Sequence, residues 1–441
     1  MAMLLTMNHR PEPASPDSQI KIACSDLLQG MFVSELDRPW KDTPFPFEGF
    51  HIRTAAELET LRLFCKYVFI DTNRGTAPKL SRERQLTILT HARDNAPPVT
   101  PLQVRHGVYK TKRPIKQEID TASRLVAEAT TAFNLVLEKA REGNPLQLKK
   151  LAPVLNEILE SIVRNPDALV WQLNTTREKP GSFMHCLRAT IWALVLARHV
   201  GLAKEDMRTL ALGTILADIG MVRLPSGFVS RRGPFARREY LLYRKHIALG
   251  LELLRPEKLD SKILNIVRAH HERHDGRGFP RRVKGNQIPM LARFAALAYR
   301  YDRLLHSSQQ NGISPATAVG RLYKQRNLHF TEQLVYEFIQ AVGMYPTGSI
   351  IELTSGEMAL VLEQNPSEKL LPKIAVITDS GKNVLKKPLV ISLRDEVNEP
   401  SHRTILKSVG TGGYYIDPAN LGDHIFGKRV GLGRLGIRMP I

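Results

Sequence analysis

Apolar residues return every three or four positions through the middle of the chain, from about residue 117 to 343. The spacing is clearest in four segments: TASRLVAEATTAFNLVLEKA, LAPVLNEILESIV, FMHCLRATIWALVLARHV and MRTLALGTILADIG. Such a repeat puts the apolar side chains on one face of an α-helix. Breakers such as Asn165-Pro166, Gly181 and Gly201 separate the segments. The pattern therefore predicts several helices of ordinary length packed as one bundle.

Short β-prone runs flank this helical region on both sides. Upstream, the runs IKIAC, GMFVSEL and YVFID surround one helical stretch, AAELETLRLFC, which predicts a small α+β module over residues 18–71. Downstream, two runs around Ser355-Gly356 indicate a hairpin, and KIAVITDSGKNVL and PLVISL follow. These runs predict a small β module over residues 346–400.

Two further stretches lack a sustained period. Residues 72–115 are rich in Gly, Pro and basic residues and are interpreted as a linker, and residues 401–441 as a basic, Gly-rich tail. The predicted fold class is mainly α, with a helical bundle over residues 117–343 between two small modules.

Composition narrows the class of protein. Of 441 residues, 43% are hydrophobic and 24% are charged, which is typical of a soluble globular chain. No stretch approaches the roughly 18 apolar residues needed to cross a bilayer, and the first residues do not resemble a secretory signal. The three cysteines, Cys24, Cys65 and Cys186, form no CxxC pair, which argues against a disulfide scaffold or a thiolate zinc site. We expect a cytoplasmic protein.

The charge is strongly positive. The chain has 63 Lys and Arg against 43 Asp and Glu, a formal net charge of +20. An anionic partner is expected, and charge alone leaves nucleic acid, a nucleotide and a lipid surface open.

Histidines of the helical region are candidate metal ligands. Four of them share this region with three acidic residues: His185, His246, His270 and His271 with Asp218, Glu272 and Asp275. Such nitrogen and oxygen donors suit Fe, Mn, Zn or Ni rather than Ca or Mg. A histidine on an apolar helix face is as often a packed, hydrogen-bonded residue, and that interpretation stays open for His185. His199 and His306 are interpreted as surface or capping residues.

The string HHERHDGRGFP, residues 270–280, is more specific. Adjacent residues on a helix point about 100° apart, so His270 and His271 reach one centre only if it lies close against the helix near its end. Gly276, Gly278 and Pro280 follow and predict that end.

Bacterial HD-GYP domains carry a signature, HHExxDGxGYP, that this string resembles, with Phe279 where the family has tyrosine. The family's HDIGK helix end is similar to TLALGTILADIGMVRLP, and its HxxxG segment to KHIALG. Its stretch IPxxARIxxVADxYDAL is similar to IPMLARFAALAYRYDRLL. The resemblance covers residues 150–343. Within residues 18–71, GMFVSELDRPWKDTPFPFEGF also resembles an uncharacterised module found ahead of some of these domains.

The resemblance implies a helical bundle of the HD-GYP type that holds two or three metal ions, often iron or manganese, and hydrolyses cyclic di-GMP. Paired metals lower the pKa of a bound water and clamp the attacking and leaving oxygens of a phosphodiester. By position in the motifs, the implied metal ligands are His185, Asp218, His246, His270 and His271. Asp218 stands at the bridging aspartate, the implied catalytic carboxylate.

Three family positions are lost in this chain. Ala217 stands at the histidine of the HD pair, Met221 at the lysine and Tyr299 at the aspartate of the VAD segment. The resemblance places Ala217 and Tyr299, with His185, around one metal, and Asp218 with the three other histidines around its neighbour. It therefore implies one transition metal per chain, Fe or Mn in preference to Zn or Ni.

Positive charge near the signature suits a phosphate-bearing ligand. The predicted ligand contacts are Arg223, Arg277, Gly278, Phe279 and Pro280. Residues 307–310 replace a basic pair that the family often has. A solvated, charged loop is the competing interpretation of the basic residues.

Three functions remain open on the sequence. The first is a catalytically impaired binder or regulator of cyclic di-GMP signalling, whose partners are cyclic di-GMP or a related dinucleotide and a signalling protein. The second is an active metal-dependent cyclic di-GMP phosphodiesterase. The third is a basic nucleic-acid-binding regulator, which ranks last because charge alone supports it.

Overall fold

The structure is a computed structural model. It describes residues 19–38, 45, 49–52, 55–76, 102–175, 184–225, 227–228, 235–306, 313–365, 368–396, 403–410 and 425. The chain divides into two compact units, Met1–Asn95 and Ala96–Ile441.

The first unit is a small α+β module. Its elements are β1 (Gln19–Ala23), β2 (Phe32–Leu36), β3 (Phe50–His51), α1 (Ala55–Phe64) and β4 (Tyr67–Asp71). The strands form an antiparallel sheet in the order β1-β4-β2-β3. Val68 and Ile70 of β4 join Leu61 of α1 in one buried core. The strands and the helix predicted from the β-prone runs and from AAELETLRLFC are therefore confirmed.

The second unit is built mainly from eleven described helices. They are α2 (Ile115–Glu142), α3 (Leu148–Arg164), α4 (Pro166–Thr175), α5 (Met184–His199), α6 (Lys204–Ile215), α7 (Arg237–Tyr243), α8 (His246–Leu254), α9 (Ser261–Ala269), α10 (Met290–Leu305), α11 (Pro315–Tyr323) and α12 (Glu332–Val342). Helix α5 packs against α6, α10 and α12, and residues 186–197 of α5 are all buried. A helix that is apolar on every side belongs in the centre of a bundle. The predicted helical bundle is confirmed.

Side chains of α5, α10 and α12 meet in the core of the bundle. The ring of Trp192 lies edge-on to that of Tyr301 at 5.1 Å, and Tyr301 lies 5.1 Å from Phe338. Beside them, the Nε of Arg188 donates to Oδ1 of Asp302 at 2.5 Å and its Nη2 donates to Oδ2 at 2.9 Å. Burial alone would raise the pKa of Asp302, but the Arg188 charge outweighs burial and holds that pKa well below its ordinary value.

Helix α6 ends earlier than its sequence pattern predicts. The apolar period runs to residue 220, yet the helix stops at Ile215 and a 3₁₀ turn follows over Ile219–Arg223. The backbone of Gly220 lies against α8, where an added Cβ would come within 1.9 Å of the His246 carbonyl oxygen. Because only glycine fits there, the chain turns into this close contact, and Asp218 lies in the turn rather than on the helix.

A second antiparallel sheet closes the unit, with the order β8-β7-β6-β5-β9. Its strands are β5 (Ile350–Leu353), β6 (Met358–Glu363), β7 (Lys373–Thr378), β8 (Val384–Ser392) and β9 (Ile405–Val409). Strands β5 and β6 form the hairpin predicted at Ser355-Gly356. Strand β9 pairs with β5 and lies within residues 401–441, so part of the stretch interpreted as a tail belongs to the sheet.

Residues 102–113, at the end of the stretch interpreted as a linker, lie on the bundle. The backbone NH of Arg105 donates to the Val200 carbonyl at 3.0 Å, and the Tyr109 hydroxyl donates to the Leu202 carbonyl at 2.7 Å. Leu102 exchanges two hydrogen bonds with the Gln333 side chain, at 2.8 and 3.0 Å. The segment is held by hydrogen bonds to residues far away in the sequence rather than by a helix or strand of its own. Such a segment has no periodic pattern, so the sequence analysis did not predict that it docks. No helix in the described part of the chain has the length and apolar character to cross a membrane.

Candidate metal centre

Asp218 is at the centre of the candidate site. Its carboxylate is buried, with 6% of the residue exposed, in the turn between α6 and the 3₁₀ segment. Oδ1 lies 3.2 Å from Nε2 of His246 and 3.5 Å from Nε2 of His270. Oδ2 lies 3.1 Å from Nε2 of His185. The carboxylate therefore faces histidines through both of its oxygens.

Backbone carbonyls fix the orientation of two of these histidines. Nδ1 of His246 lies 2.6 Å from the Tyr243 carbonyl oxygen, and Nδ1 of His270 lies 2.9 Å from that of Val267. A carbonyl oxygen only accepts, so each ring donates its Nδ1 proton to it. The lone pair of each Nε2 then points toward Asp218, as in metal-ligating histidines.

His271 reaches the same centre because α9 ends at Ala269. His270 occupies the position after the last helical residue, and His271 follows it into the turn. Nε2 of His271 lies 2.9 Å from the Tyr243 hydroxyl, and its ring stacks on Phe279 at 4.6 Å. One donor atom from each of Asp218, His246, His270 and His271 falls within 4.8 Å of the others.

The donor atoms of this group fit a metal ion. Among the described residues, Oδ1 of Asp218, Nε2 of His246 and Nε2 of His270 are buried without a hydrogen-bond partner. Their contacts with one another at 3.2 and 3.5 Å lack hydrogen-bond geometry. Buried polar atoms without partners are costly, and a cation would satisfy all three at once. Three imidazoles and a carboxylate suit Fe, Mn or Zn.

The pKa values favour the metal-binding protonation states. Burial lowers the pKa of His246 to about 4. Burial and the neighbouring His270 and His246 lower the pKa of His271 well below its ordinary value. Burial would raise the pKa of Asp218, but the hydrogen bond with His185 and the neighbouring His246 and His270 outweigh it and lower that pKa strongly. Near neutral pH, His246 and His271 are therefore neutral and the carboxylate is ionised.

The other side of Asp218 has fewer donors. Ala217 is fully buried and carries no donor atom. The Tyr299 hydroxyl donates to the Thr214 carbonyl at 3.1 Å, and burial raises the pKa of this phenol well above its ordinary value. Met221 is buried as well. Burial would lower the pKa of His185, but the neighbouring Cys186 and Asp218 outweigh it and raise that pKa.

Cys186 is a residue that sequence reasoning missed. Its Sγ lies 3.4 Å from Nε2 of His185, and the two side chains form a second donor group with Asp218. The three cysteines of the chain argued against thiolate chemistry because they form no CxxC pair. The only sequence signal was the position of Cys186 beside His185, and neighbouring positions on a helix do not predict convergence.

Glu272 and Asp275 belong to the loop rather than to the donor cluster, which corrects their place in the predicted ligand set. Glu272 accepts the backbone NH groups of Arg281 and Arg282 at 2.7 and 3.1 Å. Asp275 accepts the Arg273 guanidinium at 3.1 and 2.5 Å and the NH of Arg277 at 3.0 Å. These bonds shape the signature loop.

The predicted ligand contacts lie in different environments. Arg223, Arg277 and Pro280 are exposed, whereas Gly278 and Phe279 are buried. An added Cβ at Gly278 would lie 2.4 Å from the backbone N of Arg273, so only glycine fits. Residues 307–310 lie outside the described residues.

Arg303 of α10 was not predicted as a ligand contact. Its positive charge opposes the rise in pKa that burial causes at Tyr243. It therefore adds an exposed positive charge beside the donor cluster.

Two histidines interpreted as surface or capping residues also have partners. His306 follows α10, and its Nδ1 lies 2.8 Å from the Asp302 carbonyl oxygen, as a capping residue would. His199 instead points Nε2 at Oε2 of Glu337, at 3.1 Å. His199 is therefore a partner of Glu337 rather than a capping residue or a free surface residue.

Comparisons with known proteins agree with this geometry. The family model described as HD domain matches residues 158–334, and that of a domain of unknown function, DUF3391, matches residues 19–151. The DUF3391 match runs through residues 72–115 and α2 and ends within α3. HD domains are metal-dependent, and the described residues supply candidate ligand groups.

Several curated proteins resemble the chain. Cyclic di-GMP phosphodiesterase PA4108 of Pseudomonas aeruginosa is 29% identical over 368 residues, which cover 82% of this chain and 86% of that protein. The response regulator RpfG of Xanthomonas campestris, also named a cyclic di-GMP phosphodiesterase, is 29% identical over 32% of this chain and 38% of its own length. The solved structure of Bd1817, an HDG"Y"P protein from Bdellovibrio bacteriovorus, is 17% identical and covers 73% of this chain and 98% of its own, with a TM-score of 0.44. Residues 158–334 therefore match an HD domain and residues 19–151 a DUF3391 domain, in a chain that is similar to proteins named cyclic di-GMP phosphodiesterases.

Proposed function

We propose that the chain is a cyclic di-GMP-binding regulator of the HD-GYP group that holds one metal ion and hydrolyses its ligand very slowly or not at all. One observation carries the proposal: donor atoms of Asp218, His246, His270 and His271 lie within 4.8 Å of one another, whereas Ala217 carries no donor atom and the Tyr299 hydroxyl donates to the Thr214 carbonyl. A site that seats one cation can bind a phosphate without completing two-metal chemistry.

Asp218, His246, His270 and His271 would hold the ion, which we propose to be Fe or Mn. A bound ion of this kind lowers the pKa of a coordinated water and polarises a phosphodiester. The chain's own residues supply the rest. Carbonyls of Tyr243 and Val267 hold the two rings in their ligating tautomer, and Phe279 packs on His271 to exclude water from that side.

Exposed positive side chains on the signature loop, the 3₁₀ turn and α10 favour an anionic, phosphate-bearing ligand. Arg277 is exposed on the signature loop, Arg223 on the 3₁₀ turn and Arg303 on α10. A guanidinium group binds a phosphate with two parallel hydrogen bonds. A cyclic dinucleotide has two phosphates, so each of them can bind one arginine in this way. The names of the related phosphodiesterases point to a cyclic dinucleotide.

The lost donors are the reason to expect little hydrolysis. A two-metal site stabilises both the attacking and the leaving oxygen, so losing one ion should remove several kcal/mol of transition-state stabilisation. Met221 also places a buried thioether where a lysine charge is expected near phosphate. Both losses act on the same step.

An active phosphodiesterase is the second candidate, and one specific observation favours it. Cys186 joins His185 and Asp218 in a donor group of its own, which could hold a second ion by a different ligand set. The related proteins named phosphodiesterases add weight to this candidate.

Binding and turnover of cyclic di-GMP separate these candidates. The purified chain, loaded with Mn²⁺ or Fe²⁺, would be titrated with cyclic di-GMP by calorimetry and assayed for linear product by chromatography. We expect metal-dependent binding, little product, and loss of binding in His270→Ala but not in His329→Gln, a histidine outside the cluster. Rapid product formation by the unaltered chain would establish the phosphodiesterase, and absence of metal-dependent binding would refute both.

A further inference from the structure

A second group of metal-type donors lies outside the candidate metal centre. Nε2 of His106 lies 2.9 Å from Oε2 of Glu337, and Nε2 of His199 lies 3.1 Å from the same oxygen. The two rings are 4.7 Å apart with their planes tilted by 51°, so they converge on the carboxylate rather than stack on each other.

These residues come from three separate parts of the second unit. His199 is the last residue of α5, Glu337 lies within α12, and His106 lies in the segment docked ahead of α2. His185 is near the start of α5, fourteen residues earlier, which corresponds to about 21 Å along the helix at 1.5 Å per residue. The group is therefore at the opposite end of α5 from the candidate metal centre.

Donor identity and spacing both suit a transition metal. Two imidazoles and a carboxylate are the protein ligands of one class of zinc site, in which water takes the fourth position. Bonds of about 2.0–2.2 Å place the donors of a tetrahedral zinc site about 3.3 Å apart, close to the two distances of 2.9 and 3.1 Å between the imidazoles and the carboxylate.

Exposure and charge suit an ion that enters from solvent. The His106 side chain is 58% exposed, that of His199 is 25% exposed and that of Glu337 is 7% exposed. The group is thus open on the His106 side and closed around the carboxylate. Burial would raise the pKa of Glu337, but His199 and His106 outweigh it and lower that pKa, so the carboxylate is ionised near neutral pH.

The position of His106 is set by its neighbours along the chain. The backbone NH of Arg105 donates to the Val200 carbonyl at 3.0 Å, and an Arg105 guanidinium nitrogen donates to the Gly201 carbonyl at 3.0 Å. These bonds hold the residue before His106 against the end of α5. The imidazole is therefore delivered to Glu337 by a fixed backbone, a condition for a metal site of defined geometry.

We infer that His106, His199 and Glu337 form a second transition-metal site, suited to Zn²⁺, that fastens residues 102–109 to α5 and α12. In the metal-bound form each imidazole carries its proton on Nδ1 and presents Nε2 to the ion, and Oε2 of Glu337 is the third ligand. Water completes the coordination on the exposed side. The ion would join the segment preceding α2 to two helices of the bundle.

Zinc content tests the site directly. The full chain and the variants His106→Gln, Glu337→Gln and His329→Gln would be dialysed against Zn²⁺, and bound zinc would be measured by mass spectrometry. We expect His106→Gln and Glu337→Gln to bind one equivalent less than the unaltered chain, and the His329→Gln control to bind the same amount. Equal zinc content in all four proteins would overturn the inference.

Two further measurements keep this result separate from the candidate metal centre. His270→Ala should lose zinc at that centre yet retain the equivalent that depends on His106. Hydrogen exchange at the amides of Leu102 and Arg105 should slow on addition of Zn²⁺ in the unaltered chain and not in Glu337→Gln. Exchange that Zn²⁺ leaves unchanged in both proteins would show that no ion fastens this segment.

Discussion

The two oxygens of Asp218 face different surroundings. The complete half of the site, around Oδ1, has Asp218, His246, His270 and His271, whose donor atoms converge within 4.8 Å. The incomplete half, around Oδ2, has His185 and Cys186; the resemblance to the HD-GYP pattern predicts two further ligand positions, which Ala217 and Tyr299 occupy. Ala217 and Tyr299 are nevertheless packed: Ala217 is fully buried and Tyr299 is 8% exposed. A position can be packed without supplying a metal ligand, because packing depends on the volume of a side chain whereas coordination depends on its donor atoms.

The largest expected effect is on the free energy of unfolding, when the buried ion pair beside the incomplete half is broken. Arg188 lies three residues after His185 on α5, and its partner Asp302 lies three residues after Tyr299 on α10. Arg188→Ala leaves the buried Asp302 charge without its main partner, which should lower the free energy of unfolding by about 3–5 kcal/mol. Urea unfolding followed by circular dichroism measures the change.

The matched control removes both charges. Arg188→Met with Asp302→Leu should cost far less than Arg188→Ala, since no charge is then left buried. A single variant as stable as the unaltered chain would show that the ion pair does not hold the two helices.

The second effect concerns the complete half. His270→Ala removes a buried donor of which 2% is exposed. Losing a residue that merely orients a ligand weakens metal binding 10–100-fold, so losing the ligand itself should weaken it by more than about 100-fold. Competition with a chromophoric chelator for Mn²⁺ gives the affinity. His185→Ala should have the smaller effect, and the reverse order would mean that the two halves are wrongly assigned.

Adding ligands to the incomplete half should allow it to bind a metal ion, as the complete half is expected to do. Ala217→His with Tyr299→Asp restores an imidazole and a carboxylate, and shortening Tyr299 relieves part of the overpacking that histidine brings, about 1–3 kcal/mol. We expect metal content to rise by up to one ion per chain, measured by mass spectrometry of dialysed protein. Ala217→His alone is the control, and unchanged metal content in the double variant would show that these positions do not face the centre.

The stabilisation that the Arg188–Asp302 ion pair gives to the folded chain should depend on pH. The pKa of Asp302 is lowered in the folded chain, so its stabilisation is complete above the unfolded value of about 3.9 and decreases as the pH falls below it. One such group changes stability by about 1.4 kcal/mol per pH unit in that range. The advantage of the unaltered chain over Asp302→Asn in unfolding free energy should therefore shrink below about pH 4. An advantage that is constant with pH would exclude this ion pair as its source.

The smallest expected effect is that of Tyr299→Phe. It removes the hydroxyl that donates to the Thr214 carbonyl, which should cost about 0.5–1.5 kcal/mol of stability. Metal affinity should stay the same because the phenol is not a ligand. Thermal unfolding and the chelator competition give the two values, and a marked loss of metal would make Tyr299 a ligand after all.

Periodicity predicted the helices and strands well where neighbours along the chain decide them. The runs that became β1, β2, β4 and the β5–β6 hairpin are read from local alternation and turn residues. The end of α6 was placed five residues too late, since the close approach of Gly220 to α8 comes from a distant part of the chain. The signature string likewise suggested Glu272 as a ligand, whereas the loop uses that carboxylate for its own backbone NH groups.

The sequence by itself determined the kinds of donor available, the helical bundle that carries them and the absence of a histidine at position 217. Only the tertiary structure decided which donors meet. It separated the two oxygens of Asp218, placed Cys186 beside His185, and joined His106 to Glu337 across 231 positions of the chain. The reason is physical: periodicity depends on neighbours a few residues apart, whereas coordination depends on distances of a few ångströms that are set by packing between remote helices.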